Sequence, residues 1–401
     1  MKAIEVKPDI YWVGVNDRFT QLFEGLWPIG EEGVSYNAYL LKDEKNALID
    51  LAKSIKVDEF FEQIESVIPL SKIDYVVINH MEPDHTGVLS VLKKVAPNAT
   101  ILISDRGAKM LKAFYQIDQN VKIVKDGEQL PLGKKTLKFF YTPLVHWPET
   151  MMTYEVSEKV LFSCDGFGSY GALRGAIFDD ECEDKEFYLK EMLRYYVNIV
   201  ASFSRPVLRA IEKLANLPID VVAPSHGLVW KAEPHTPIKL YREWAEYAEK
   251  PSKKGVTLVY GSMYGNTERA MNSVLRGLSK SRLPISVFNV TQTHHSYILA
   301  SLWEKRGVVI GAPTYEAALF PPMEDLLRLA QIKHVKNKLA LIFGSYGWSG
   351  GATKKIKELV EPLGWKVVDV HEFNGAPTEN DLEKLQQMAT QFVQQIESEP
   401  E

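Results

Sequence analysis

Beyond residue 255 the chain alternates short apolar runs with amphipathic stretches. The runs at 256–260, 285–290, 308–310, 339–343 and 367–370 are largely apolar rather than strictly alternating, which predicts strands buried on both faces. Between them, stretches such as 268–278 and 324–332 space their apolar residues as a helix does. Five such strand–helix units predict a doubly wound parallel sheet. The first 250 residues are less regular. The runs at 36–41 and 47–51 lie too close together for a crossover helix. Further strands are predicted at 75–78, 100–104, 137–141, 160–163 and 221–223, and helices at 57–67, 87–95, 187–201 and 237–247. This is the pattern of a mixed α/β layer domain, and it leaves the strand order open. The polar run Glu249-Lys250-Pro251-Ser252-Lys253-Lys254-Gly255 separates the halves, so domains are expected at 1–250 and 251–401. Residues 397–401 read as a frayed tail.

Composition narrows the class. The chain has 401 residues, 45% of them hydrophobic and 25% charged, near globular averages, which excludes wholesale disorder. A net charge of -5 gives no strong pull toward nucleic acid or anionic lipid. Residues 1–10 show no apolar signal-peptide core, and no apolar stretch is long enough to span a bilayer. Cys164 and Cys182 cannot form a disulfide framework or an all-cysteine metal site. A reducing cytoplasm is the expected compartment.

The first concentration of chemistry follows the strand at 75–78. His80-Met81-Glu82-Pro83-Asp84-His85 places four potential ligands within six residues, and Pro83 disfavours helix at Glu82. A loop of this kind fans its side chains in several directions, enough to serve two metals. Its alternative is a polar surface turn. Three more polar residues stand just beyond apolar runs: His146, Asp165 and His226. Taken singly, each could be a capping Asp or a satisfied core His. Their shared placement links them to the first loop.

The order H-x-x-x-D-H, then His, Asp and His, resembles the metallo-β-lactamase superfamily, whose hydrolases mostly carry H-x-H-x-D-H and bind zinc. Here Glu82 stands at the third position. The added oxygen donor favours iron, and H-x-E-x-D-H is the form shown by flavodiiron proteins. That resemblance covers essentially the whole chain. It implies an N-terminal metallo-β-lactamase-like αββα sandwich joined to a C-terminal flavodoxin-like sheet. It also implies two iron ions: one on His80, Glu82 and His146, the other on Asp84, His85 and His226, with Asp165 between them. The direction of His146 stays open, because the equivalent His turns away from the metal in some members.

A second concentration follows the run at 256–260. Ser262-Met263-Tyr264-Gly265-Asn266-Thr267 precedes a helical pattern, and hydroxyls with backbone N–H groups at a helix start can cradle a phosphate without a cation. An ordinary capped helix is the alternative. The run lacks a Walker Gly-Lys-Ser/Thr and resembles the flavodoxin phosphate loop, with Tyr264 replacing the usual middle Thr. Two later loops carry Pro313, Thr314 and Tyr315, and Ser345, Tyr346, Gly347, Trp348, Ser349 and Gly350. Both follow apolar runs, where open sheets bind ligands. By resemblance these loops flank the isoalloxazine ring of FMN.

A metal pair with a flavin implies an oxidoreductase that reduces dioxygen to water, nitric oxide to nitrous oxide, or both. The resemblance further implies a head-to-tail homodimer or a tetramer, with Trp348 a candidate to touch the partner's metal pocket. Without the C-x-x-C pairs of a rubredoxin domain, electrons are expected from a separate partner, which the resemblance implies is a rubredoxin or a reduced deazaflavin. Tyr195 or Tyr196 could hydrogen-bond a species at the metals, and core packing is the default for the pair. The rival readings are a zinc hydrolase fused to a flavodoxin and a non-catalytic flavin electron shuttle.

Overall fold

The computed structural model describes residues 2–400. They divide into two compact units, 1–243 and 244–401. The first holds two mixed sheets. One has seven strands in the order Ile4–Lys7, Ile10–Trp12, Tyr39–Leu41, Ala47–Ile49, Tyr75–Ile78, Thr100–Ile103 and Val121–Ile123. The other has five: Gln129–Pro131, Thr136–Tyr141, Met151–Glu155, Val160–Cys164 and Val221–Pro224. Their buried faces meet through side chains such as Tyr39 and Phe162, whose rings lie 5.1 Å apart.

The run at 36–41 is not one strand. Val34–Tyr36 pairs with Val15–Asp17 in a separate ribbon, while Tyr39–Leu41 joins the seven-stranded sheet. Asn37 sits at the break. Its amide donates to the carbonyls of Pro224 and Gly227, both at 2.9 Å, and its oxygen accepts from the Trp12 indole. These side-chain bonds replace the ladder that a continuous strand would have formed.

The helix expected at 187–201 is also interrupted. Lys185–Tyr195 gives way to a wide π turn at Tyr196–Val200, then a tight turn at Ala201–Phe203, then a helix at Ser204–Leu214. The helix expected at 87–95 starts at Leu89, after a separate short turn, Pro83–Thr86.

In the second unit the parallel strands stand in the order Ile285–Asn289, Lys253–Tyr260, Lys305–Tyr315, Leu339–Tyr346 and Lys366–Asn374. This 2-1-3-4-5 order is the flavodoxin-like doubly wound sheet. The three middle strands are buried on both faces. Ile285–Asn289 and Lys366–Asn374 are largely half-exposed, because an edge strand lacks a neighbour on one side. Of the tail at 397–401, Glu397 and Ser398 close the final helix, Glu379–Ser398, and Glu401 lies outside the described residues. Among the described residues no helix is long and apolar enough to cross a membrane.

Candidate functional site

Both sheets of the first unit deliver side chains to one point. Tyr75–Ile78 leads into Asn79, whose backbone N–H and side-chain amide both bind Asp50, at 2.8 Å each. His80 follows. Glu82 is extended (φ -60, ψ 142), and Pro83 opens the Pro83–Thr86 turn, as the proline's bias on its predecessor requires. That turn carries Asp84 and His85. From the second sheet come Asp165, just beyond Val160–Cys164, and His226, just beyond Val221–Pro224. These two strands are parallel neighbours, with Cys164 opposite Pro224, so their ends open at the same edge. His146 comes from the loop between Thr136–Tyr141 and Met151–Glu155.

The seven side chains form two sets. His80, Glu82, His146 and Asp165 offer donor atoms mutually within 4.8 Å, and so do Asp84, His85 and His226. Asp165 belongs to both in its geometry. Its Oδ2 lies 3.4 Å from His80 Nε2 and 3.3 Å from His146 Nε2. Its Oδ1 lies 3.0 Å from His85 Nε2 and 3.2 Å from His226 Nε2. Glu82 Oε2 is 3.2 Å from His80 Nε2 and 3.1 Å from His146 Nε2, Asp84 Oδ1 is 3.3 Å from His85 Nε2, and Asp84 Oδ2 is 3.3 Å from His226 Nε2. His146 therefore faces the cluster, the direction the sequence left open.

These spacings suit a metal. Metal–ligand bonds of about 2.1 Å put donors about 3.0 Å apart at right angles and about 3.4 Å apart in a tetrahedron. The buried oxygens of Asp84 and Asp165, and Nε2 of His85 and of His226, have no hydrogen-bond partner, a costly state for buried polar atoms. A cation at each position would satisfy them.

The field of the site agrees. Burial works against a charged His226, but Asp165 and Asp84 beside it push its pKa up to about 10. Burial likewise opposes a charged His146, and Asp165 and Glu82 push it to about 9. The imidazoles hold Asp165 and Glu82 well below the carboxylate range in spite of burial. The carboxylates thus demand positive charge at this point. Cys164, within 4.8 Å of His85 and Asp165 donors, is kept a thiol by burial.

Aromatic rings surround His226: Phe23 at 5.7 Å, Tyr36 at 5.8 Å and Tyr195 at 5.7 Å between centroids. Tyr195 is fully buried and its hydroxyl has no hydrogen-bond partner. The Tyr196 hydroxyl instead meets Ser204 Oγ at 2.8 Å. The sequence reading named neither Phe23 nor Tyr36, nor Glu149, whose Oε1 lies 2.7 Å from His80 Nδ1. No motif marks them: Phe23 and Tyr36 come from segments far from the ligands, and Glu149, three residues after His146, meets His80 across 69 positions.

The second unit holds a cleft of about 350 Å³ at the carboxyl ends of its strands. Its walls include Ser262, Met263, Tyr264, Asn266, Thr267, Pro313, Thr314, Tyr315, Ser345, Tyr346, Gly347 and Trp348, together with Glu316 and Gly375, which the sequence reading did not name. Gly265 lies just outside the wall, with φ 90, and turns the loop into helix Asn266–Leu278. Its N–H donates to Ser262 Oγ at 3.1 Å. Ser349 and Gly350 also stand outside the wall. Thr267 and Ser345 hydroxyls meet at 2.9 Å. Among the described residues no Lys or Arg lines the cleft, and its polar groups are hydroxyls, amides, the Glu316 carboxylate and the start of helix Asn266–Leu278. Tyr264 and Trp348 are 92% and 83% exposed. Large aromatics so bare suit a planar ring laid between them.

Comparison with known proteins agrees with both halves. Residues 34–227 match the ODP family beta lactamase, and residues 258–387 match Flavodoxin. An anaerobic nitric oxide reductase flavorubredoxin of Escherichia coli is 33% identical over 400 residues, covering 98% of this chain and 82% of the relative. The solved rubredoxin oxygen:oxidoreductase of Desulfovibrio gigas superposes with a TM-score of 0.92 at 30% identity, over 99% of both chains. The flavodiiron protein of Giardia intestinalis gives 0.93 at 30% identity, over 99% of this chain and 97% of that one. A lactamase-like match followed by a flavodoxin match, with relatives that cover nearly all of this chain, shows that the chain belongs to the flavodiiron protein family.

Proposed function

We propose that this oxidoreductase reduces dioxygen to water, nitric oxide to nitrous oxide, or both, using electrons from an external donor. The observation that carries the reading is the division of seven donors into two sets, with one oxygen of Asp165 turned to each. In this reading His80, Glu82 and His146 hold one iron, Asp84, His85 and His226 hold the other, and Asp165 bridges them. Three carboxylates among the donors favour iron over zinc. The loop from Ser262 to Thr267 holds the FMN phosphate, and the Pro313–Tyr315 and 345–350 loops embrace its ring. The domains carrying the two centres are taken as 1–250 and 251–401. Reduced FMN and two ferrous ions store four electrons between them, the number that turns dioxygen into two waters, and two suffice to couple two nitric oxide molecules to nitrous oxide and water.

The chain's own residues place these groups and shape the gas pocket. Phe23 packs edge-on against Tyr170 and His226, giving an apolar wall that favours a small uncharged substrate. The Tyr195 hydroxyl, free to donate, can hold a proton beside the second metal position. The Desulfovibrio gigas relative is named for rubredoxin, and by extension rubredoxin, or a reduced deazaflavin, is the donor here. The bare Trp348 suits a head-to-tail homodimer in which it meets a second copy's metal pocket. A reducing cytoplasm would keep Cys164 and Cys182 as thiols.

The test combines metal analysis with anaerobic reduction of the flavin, followed by mixing with each gas separately. Iron and FMN are expected in the purified protein, with rapid reoxidation by at least one gas. Asp165→Ala or His85→Ala should lower gas reduction by about a hundredfold or more while FMN stays bound. Zinc in iron-replete material with turnover of an ester or lactam, or unchanged turnover in both variants, overturns the reading.

A further inference from the structure

His80 and His226 are held from behind by different acceptors. Nδ1 of His226 meets the backbone carbonyl of Ser35 at 2.7 Å. Nδ1 of His80 meets a carboxylate, Glu149 Oε1, also at 2.7 Å. Glu149 is only 3% exposed and is tightly placed. The same Oε1 accepts the Met81 N–H at 3.0 Å. Its backbone carbonyl accepts from Ser104 Oγ at 2.7 Å, and Ser104 caps helix Asp105–Tyr115. A buried carboxylate is costly to keep, and a carbonyl serves the equivalent need at His226.

We propose that Glu149 is a positioning residue for the first metal position. It holds His80 as the Nδ1–H tautomer, turns the Nε2 lone pair toward Glu82 and Asp165, and strengthens that nitrogen as a donor. The inference rests on the metal-centre reading above. A carboxylate behind a ligating imidazole raises its basicity, and losing such a partner costs about 10–100-fold in metal affinity. The Ser35 carbonyl behind His226 carries no charge, so the two metal positions are unequally supported. Glu149 also lines a cavity of about 170 Å³ with Ser104, Arg106 and Tyr141. A small carboxylate could enter there once the side chain is removed.

The experiment follows iron loss from reduced, anaerobic holoenzyme to a ferrous chelator, with far-UV circular dichroism and the urea midpoint as measures of an intact fold. Glu149→Gln keeps an acceptor for both N–H groups but not the charge, and is expected to lose iron about tenfold faster than wild type. Glu149→Ala should approach a hundredfold, and formate should slow the loss in that variant alone. Wild-type iron loss in Glu149→Gln, or a deficit in Glu149→Ala that formate leaves untouched, overturns the inference. If Glu149→Ala does not fold, Glu149→Gln decides alone. If the wild type holds zinc, the reading of an iron reductase fails. The same comparison against a zinc chelator then still decides the role of Glu149.

Discussion

Tyr195 and Tyr196 are adjacent, yet their surroundings separate them. Side chains one position apart on a helix point about 100° apart. Here one hydroxyl is turned among the rings beside His226 and the other toward Ser204. Tyr195→Phe is therefore expected to slow gas reduction about tenfold, the loss of about 1.4 kcal/mol of stabilisation in the transition state. Tyr196→Phe should leave turnover unchanged and lower stability by about 1 kcal/mol through loss of a buried hydrogen bond. Steady-state rates and denaturant midpoints on the two variants check this, and equal kinetic effects would refute the assignment. The same scale accounts for His226. Asn37 binds the Pro224 and Gly227 carbonyls, Ser35 Oγ accepts the Gly227 N–H, and the Ser35 carbonyl meets His226 Nδ1, so the imidazole is aimed before any metal arrives.

The recurring arrangement among elements is a strand that ends in a donor or a loop. Tyr75–Ile78, Val160–Cys164 and Val221–Pro224 each release a cluster residue, and Lys253–Tyr260 releases the turn that precedes helix Asn266–Leu278. At Gly265 the backbone takes φ 90, and a Cβ there would meet no atom within 4 Å. Space is thus no obstacle to Gly265→Ala, but conformation is, because L-residues disfavour positive φ by roughly 1–2 kcal/mol. The variant should bind FMN about tenfold more weakly while the sheet stays folded, as titration of FMN into apoprotein would read. Undiminished FMN affinity would mean that this turn does not shape the cradle.

Across the molecule, buried charge gathers where metal is expected but also occurs elsewhere, as at Asp17, Asp179 and Arg194 in the first unit and Arg306 and Lys338 in the second. Lys338 is buried, with its Nζ 2.7 Å from Ser252 Oγ and 2.9 Å from the Trp303 carbonyl. Burial and the nearby Arg306 lower its pKa to about 7. Above that pH the folded chain carries a neutral amine, while the unfolded chain keeps its proton until near pH 10.5. Stability should therefore rise between about pH 7 and 10, by at most ~1.4 kcal/mol per pH unit. Below pH 7 both states are charged and this contribution is flat. Urea midpoints at pH 7 and 9 for wild type and Lys338→Met isolate the slope. A variant that keeps the wild-type slope would assign it to another group.

Local chemistry was legible in the sequence: the ligand types from His80 to His85, the phosphate-loop pattern from Ser262 to Thr267, and the apolar periods that gave two α/β halves. Those features depend on neighbours a few residues apart, which sequence records directly. Tertiary structure alone decided the rest. It turned His146 inward, set which oxygen of Asp165 faces each donor set that the resemblance had implied, and separated Tyr195 from Tyr196. It also broke the run at 36–41, where Asn37 finds better partners in the 224–227 loop than in a strand ladder. Glu149 lies 69 positions from His80, and nothing in either segment announces the other. Contacts of that kind arise when two sheets close on each other, and their energies come from burial and hydrogen bonds that no short window of sequence contains.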